Sequence, residues 1–233
     1  MGVLETLYGV YQTGRTSAIT VAESLYLPPD KDRHAAHLVA WAEKVVRAAK
    51  MDLEVRGREL VPPGEAFVVM ANHQSFYDIP AVILAVPGPM TFVAKAELFR
   101  VPVFGRAMET AGIVRVDRKD RAQSVASLHS AVTQLRSGRH IYIAPEGTRS
   151  PTGTLSPFKS GGFRMALEAG ARILPVSIDG TRHVLPAREL LVRTGHRVVV
   201  TIGSPIDPAL YGIDRRKELI EVTRRAIAGP LGQ

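Results

Sequence analysis

Phe67-Val68-Val69-Met70-Ala71-Asn72-His73-Gln74-Ser75-Phe76-Tyr77-Asp78 passes from an apolar, strand-like run, Phe67 to Met70, into a polar turn. A short apolar run bounded by turn residues fits a buried strand. A histidine and an acid follow, five positions apart, where that strand emerges onto a binding face. In a continuous helix this spacing would rotate the second side chain by about 140° from the first. His73 and Asp78 can therefore meet only if the chain turns between them. With Asp78 opening the next helix, its carboxylate can hold His73 as a base. The chain has no cysteine to serve as a nucleophile, so a base aimed at a substrate hydroxyl is the natural reading.

Further strand-like runs surround this one: Leu53 to Val55, Thr91 to Ala94, Ile113 to Val116, His140 to Ala144, Ile173 to Ile178 and Arg197 to Ile202. Helical patterns alternate with them. Arg121 to Leu135 places Val125, Leu128, Val132 and Leu135 on one face behind an Asp120 cap, and others cover Gly162 to Ala169 and Arg215 to Ala228. This alternation predicts an α/β fold with a mixed, largely parallel sheet covered by helices. Ligands then bind beyond the carboxyl ends of the strands.

Residues 1–50 read as an amino-terminal two-helix hairpin, and 51–233 as the α/β domain. In the first helix Leu4, Leu7, Tyr8, Tyr11, Ala18, Ala22 and Leu25 fall mostly on one side, and Pro28-Pro29 ends it. In the second, Ala35, Leu38, Val39, Ala42, Val45, Val46 and Ala49 form a stripe at helical spacing. Such a hairpin either packs on the main domain or lies in a membrane interface with its apolar side among acyl chains. Glu5 stands where a secretory signal would be basic. No run reaches the roughly 18 uninterrupted apolar residues of a spanning helix. The expectation is a protein that lies on a membrane if it meets one.

Two more strand ends carry chemistry. Pro145-Glu146-Gly147-Thr148-Arg149-Ser150 follows an apolar run: Gly147 permits a tight backbone and Arg149 offers a planar fork for a phosphate or carboxylate. As a plain turn, the same segment would let Glu146 pair with Arg149 or cap a backbone group. Phe158-Lys159-Ser160-Gly161-Gly162 then leads into a helix in a way that suits an anion. In Gly112 to Arg118, alternation puts Ile113, Arg115 and Asp117 on one face and Val114, Val116 and Arg118 on the other. Arg118 and, after Thr91 to Ala94, Lys95 stand at strand ends where they can join Arg149 around a phosphate. Any one of these cations alone would read as a solvated surface charge. Four strand ends supplying His, Asp, Lys or Arg carry the argument together.

The net charge of +8 over 233 residues favours anionic partners: nucleic acid, acidic lipid headgroups or phosphorylated substrates. Nucleotide-binding fingerprints of the G-x-x-x-x-G-K-[ST] and G-x-G-x-x-G kinds are missing. The basic run Arg215-Arg216-Lys217 and the pair Arg224-Arg225 lack interleaved aromatics, so no nucleic-acid partner is expected. Zero cysteines exclude disulfides and thiolate metal sites and fit a cytoplasmic location. His34 and His37 lie at i, i+3 with no acidic pattern to complete a metal site, and no metal is expected.

Together these blocks resemble the glycerolipid acyltransferase family typified by bacterial 1-acyl-glycerol-3-phosphate (lysophosphatidic acid) acyltransferases. Asn72-His73 through Asp78, Gly112 through Arg118, Pro145 through Ser150 and Ile173-Leu174-Pro175-Val176 occur in the family's order. Lys95-Ala96-Glu97-Leu98 and Phe158-Lys159 with Gly161 match further features, so the resemblance covers roughly residues 51 to 205. It implies transfer of a fatty acyl group from acyl-CoA or acyl carrier protein to the free sn-2 hydroxyl of the acceptor, giving phosphatidic acid. His73 would be the general base and Asp78 its orienting acid. Lys95, Arg118, Glu146, Gly147, Thr148 and Arg149 would bind substrate, with Glu146 positioning the glycerol or a cation. The Pro175 block would shape the acyl tunnel or support the sheet. No cofactor is implied beyond the acyl donor as co-substrate. The hairpin is similar to membrane-docking helices, implying a peripheral or monotopic enzyme on the cytoplasmic face of the cell membrane. Ala144 and Arg115 depart from the family, which often places an aromatic at the first position and an apolar residue at the second. The same chemistry on an ornithine lipid, a glycolipid or glycerol 3-phosphate is the alternative, as are a hydrolase and a non-catalytic lipid-binding homologue.

Overall fold

A computed structural model describes residues 2–117 and 121–233, with the backbone alone for residues 121–125. Among the described residues, β1 (Asp52–Arg56), β2 (Val68–Ala71), β3 (Met90–Lys95), β4 (Val114–Val116), β5 (His140–Ile143), β6 (Ile173–Asp179) and β7 (Arg197–Ile202) form one sheet. The order is β1-β7-β6-β2-β5-β3-β4, parallel throughout except for β6 with β7. Each run read as a strand from the sequence is one, and the α/β class with a mixed, largely parallel sheet holds.

β2 lies at the middle of the sheet and is buried on both faces. Val69 and Ala71 join a core with α2 (Lys31–Ala48) and α3 (Asp78–Ala85). Val68 and Met70 join a second core with α5 (Arg121–Arg136), α6 (Gly161–Ala169) and α8 (Arg216–Ala228). Both faces need apolar side chains, so the segment reads as a continuous run and not as an alternation. Val68, Val69 and Met70 each contribute about 1.5–3 kcal/mol by leaving water.

Pro175 stands inside β6 without disrupting it. The N–H of Ile173, two residues earlier, points to Ile206 O at 2.9 Å. Pro175 has the same parity, so its missing donor faces the side where β7 has already left the ladder after Ile202. No bond to β2 is lost.

The hairpin forms from α1 (Val3–Ser24) and α2. Asp30 caps α2, its carboxylate accepting from Asp32 N at 2.8 Å and Arg33 N at 3.2 Å, an arrangement that stabilises a helix by about 1 kcal/mol. α2 turns Ala42, Val45, Val46 and Ala49 into the core. In α1 the polarity is reversed: Gln12, Ser17 and Thr20 are buried, while Leu4, Leu7 and Tyr11 are 78%, 60% and 60% exposed. α1 rests on α2 and on α4 (Phe104–Thr110). Trp41 Nε1 donates to Thr13 Oγ1 across the hairpin at 3.1 Å.

α4 and the four-residue α7 (Thr181–Val184) were not expected from the sequence. Val103, just before α4, has φ +63°, a conformation in which a β-branched residue is strained. The tight turn there closes with Phe104 N donating to Pro102 O at 2.7 Å. Gly105 lies so close to Phe99 O that a Cβ would come within 2.1 Å of it. Packing sets this helix, and no sequence period announces it. In α5 the expected face is buried at Val132 and Leu135, while the proposed Asp120 cap lies outside the described residues.

Candidate active site

β2, β3, β5 and β6 run parallel, so their carboxyl ends open onto one edge of the sheet. The turn after β2 brings His73 Nδ1 to 2.7 Å from Asp78 Oδ2. The same oxygen accepts from Gln74 N at 2.8 Å and Ser75 N at 2.9 Å. Asp78 Oδ1 accepts from Thr181 Oγ1 at 2.5 Å. Because Oδ2 already acts as an acceptor, Nδ1–H donates to it, which leaves a lone pair on Nε2. That is the tautomer a general base requires. The Asp78 side chain is fully buried and that of His73 is 20% exposed, so the carboxylate is fixed and the imidazole reaches the surface.

The sequence dictates this turn locally. Ser75 Oγ accepts from Tyr77 N at 3.1 Å and donates to Leu185 O at 2.8 Å. Asn72 pairs with Ile178 in both directions, Nδ2 to O at 2.8 Å and N to Oδ1 at 2.7 Å. These bonds pin the end of β2 to β6, while Asp78 folds back from the first turn of α3 onto the two preceding backbone donors.

The turn after β5 locks onto the first one. Gly147, at φ +73°, donates to Ala144 O at 3.0 Å. Glu146 is buried, its Oε1 accepting from His73 N and its Oε2 from Ser156 N, each at 2.8 Å. Ser150 N donates to His73 O at 2.7 Å. Both backbone groups of the histidine are therefore held by the Pro145 segment. Burial pushes the Glu146 carboxyl above its ordinary value, while the Ser156 and His73 N–H groups pull it the other way. Of the roles open to Glu146 in the sequence, its contacts here are backbone caps, with both oxygens engaged by the protein itself.

Arg149 lies with Cζ 4.0 Å from the centroid of the Phe76 ring. Burial holds its guanidinium below the ordinary value, opposed by the charge of Asp78. Thr148 is exposed beside it, and Lys159 is exposed past a backbone bond from its N to Pro145 O at 2.9 Å. Lys95 is exposed at the end of β3, in register with Val116 of β4. Arg118 lies outside the described residues. His73, Asp78, Glu146, Gly147 and Arg149 are thus brought together at one edge, with Lys95 at the end of a neighbouring parallel strand.

Thr181 and Ser156 were missed in the sequence. The signal for Thr181 was the polar turn Asp179-Gly180-Thr181 at the end of β6. Gly180 has φ +95°, and a Cβ there would come within 2.2 Å of Arg197 O, so the turn is set by close packing. Ser156 contributes only its backbone N–H, which no side-chain pattern reveals. Arg115 lies 5.8 Å from the Phe99 ring centroid. Both line a cleft of about 460 Å³ beside β4 to which neither His73 nor Asp78 contributes.

Residues 52–179 match the family model described as Acyltransferase. A 1-acyl-sn-glycerol-3-phosphate acyltransferase of Chlamydomonas reinhardtii is 33% identical over 216 residues, 91% of this chain and 63% of that protein. The Salmonella typhimurium protein of the same name is 33% identical over 153 residues, 65% of this chain and 61% of its own length. The chain thus spans under two thirds of these curated relatives. The crystal structure of the 1-acyl-sn-glycerophosphate (LPA) acyltransferase PlsC from Thermotoga maritima aligns with a TM-score of 0.79 and 28% identity, covering 100% of this chain and 97% of that one.

Proposed function

We propose a reaction for this chain, which belongs to the acyltransferase family: it moves a fatty acyl group from a thioester donor, acyl-CoA or acyl carrier protein, to the sn-2 hydroxyl of 1-acyl-glycerol-3-phosphate. His73 Nε2 takes the hydroxyl proton as the oxygen attacks the thioester carbonyl. The tetrahedral intermediate then collapses, the carbon–sulfur bond breaks, and the proton passes from the imidazolium to the leaving thiolate. The products are phosphatidic acid and free thiol. Asp78 holds the ring and stabilises its charged form. Arg149, with Lys95 and Arg118, binds the acceptor phosphate, and Gly147 and Thr148 shape the turn beside it. Glu146 keeps His73 in place through the backbone. The reaction uses no bound cofactor or metal, since the donor is a co-substrate.

The observation that supports this most is the 2.7 Å contact between His73 and a buried carboxylate that also accepts from three further donors. It is the arrangement of an oriented base. The outward apolar face of α1 supports a working position on a membrane surface, assigned here to the cytoplasmic face. No helix among the described residues is long and apolar enough to cross a membrane.

The test is mass spectrometry of products from purified protein given lysophosphatidic acid and a thioester donor. Phosphatidic acid should form, and His73→Ala should lower turnover by about two to four orders of magnitude. Near-normal transfer by that variant would refute the mechanism. Parallel reactions with glycerol 3-phosphate, an ornithine lipid, a neutral glycolipid or no acceptor separate the other acceptors and simple hydrolysis.

A further inference from the structure

Arg149 is a permanent cation that no described residue meets with a hydrogen bond or an ion pair. Its Nη1 is shielded from solvent and has no acceptor. A shielded donor without a partner is costly, and such groups mark places where something else completes the bond. What touches the guanidinium is Phe76, at 4.0 Å from Cζ to the ring centroid, well inside the range in which a ring face attracts a cation. Phe76 is itself 52% exposed, so core packing does not account for a phenylalanine here. The ring also shares its turn with the dyad. Ser75 and Asp78, on either side of it, are fixed by hydrogen bonds, and the platform therefore moves with the base.

We propose that Phe76 is a positioning residue for the acceptor phosphate: its ring face holds the Arg149 fork flat beside the His73–Asp78 pair, so that a phosphomonoester meets donors already oriented. This rests on the reading of Arg149 as the phosphate-binding group. The stack restricts the guanidinium to one plane, and a planar fork gains most from being fixed when it faces two oxygens of a phosphate. Leucine offers similar bulk without the ring quadrupole, whereas tyrosine and tryptophan keep it.

Steady-state kinetics of the full chain test this with F76L, F76Y, F76W and R149A. F76L should raise the KM for lysophosphatidic acid by about 2- to 30-fold and leave the donor KM unchanged. F76Y and F76W should restore the acceptor KM, and F76L should add little in the R149A background. An unchanged acceptor KM in F76L, or a loss that the aromatic variants fail to restore, overturns the proposal. A second measurement does without turnover. Trp41 is the sole native indole, and titrating F76W with inorganic phosphate should shift the emission of the added one, whereas F76W/R149A should not respond. An equal response in both proteins overturns the proposal. Wild-type protein that forms no phosphatidic acid, while F76W shows the Arg149-dependent response, sinks the reaction and upholds the positioning.

Discussion

α1 and α2 carry the same kind of apolar stripe and bury opposite sides. α2 puts Ala42, Val45 and Val46 into the core, whereas α1 turns Gln12, Ser17 and Thr20 inward and leaves Leu4, Leu7 and Tyr11 outside. A helical period thus announces that two faces differ without saying which one meets the protein. In α1 the two inner hydroxyls are served locally, Ser17 Oγ donating to Thr13 O at 2.8 Å and Thr20 Oγ1 to Thr16 O at 3.0 Å. The helix can therefore lie on a protein surface without an apolar seam, and its leucines and tyrosines remain for another solvent.

The comparison is broken most sharply by a charge. Val46→Asp places an unpaired carboxylate in the core and should cost about 3–5 kcal/mol in urea unfolding. Leu7→Asp on α1 should change stability by less than about 0.5 kcal/mol. If both variants unfold alike, the two helices do not differ as described. Next in size is membrane affinity. Leu7→Asp should weaken sedimentation with anionic lipid vesicles by about 10- to 100-fold, the equivalent of one buried leucine, while Val39→Asp on α2 should have less effect. Equal losses would move the membrane face off α1.

A smaller effect concerns the inner side of α1. Gln12 Oε1 is buried without a partner, so Gln12→Met should be neutral or stabilise the protein by about 1 kcal/mol. A clear loss of stability would show that the amide is needed there. The smallest effect is a pH dependence that belongs to the body and not to α1, which contains no histidine. In β5, His140 Nδ1 accepts from Phe67 N at 3.1 Å and Nε2 donates to Pro87 O at 2.9 Å. Burial holds its pKa below the usual 6.5, with the Pro87 contact opposing. Since the unfolded chain takes up this proton first, the stabilisation is complete above about pH 6.5 and is lost as pH falls through the folded-state value. Melting temperatures of His140→Gln should show a shallower acid slope than wild type. Identical slopes would assign the acid sensitivity to other groups, such as His34.

The strands and the dyad were legible because each rests on local sequence. Phe67 to Met70 is apolar throughout since both faces are covered, and five residues with a turn bring His73 to Asp78. Thr181 was not legible, because it reaches Asp78 across 103 positions through a fold-dependent approach. α4 was hidden for a similar reason: seven residues with a glycine give no period, and Phe99 determines their place. The environment of α1 was beyond any pattern, as burial is a property of the assembled chain. The stack of Arg149 on Phe76 joins two motifs that each read complete alone.

Glu146 ties the loop that carries the base to the loop that carries the guanidinium, through the main chain of both. The two are joined as by a yoke, with both backbone groups of His73 held from the Pro145 segment. Under the proposed reaction, changes at Ala144 or Thr148, whose side chains make none of these bonds, would alter the headgroup admitted and leave proton transfer in register.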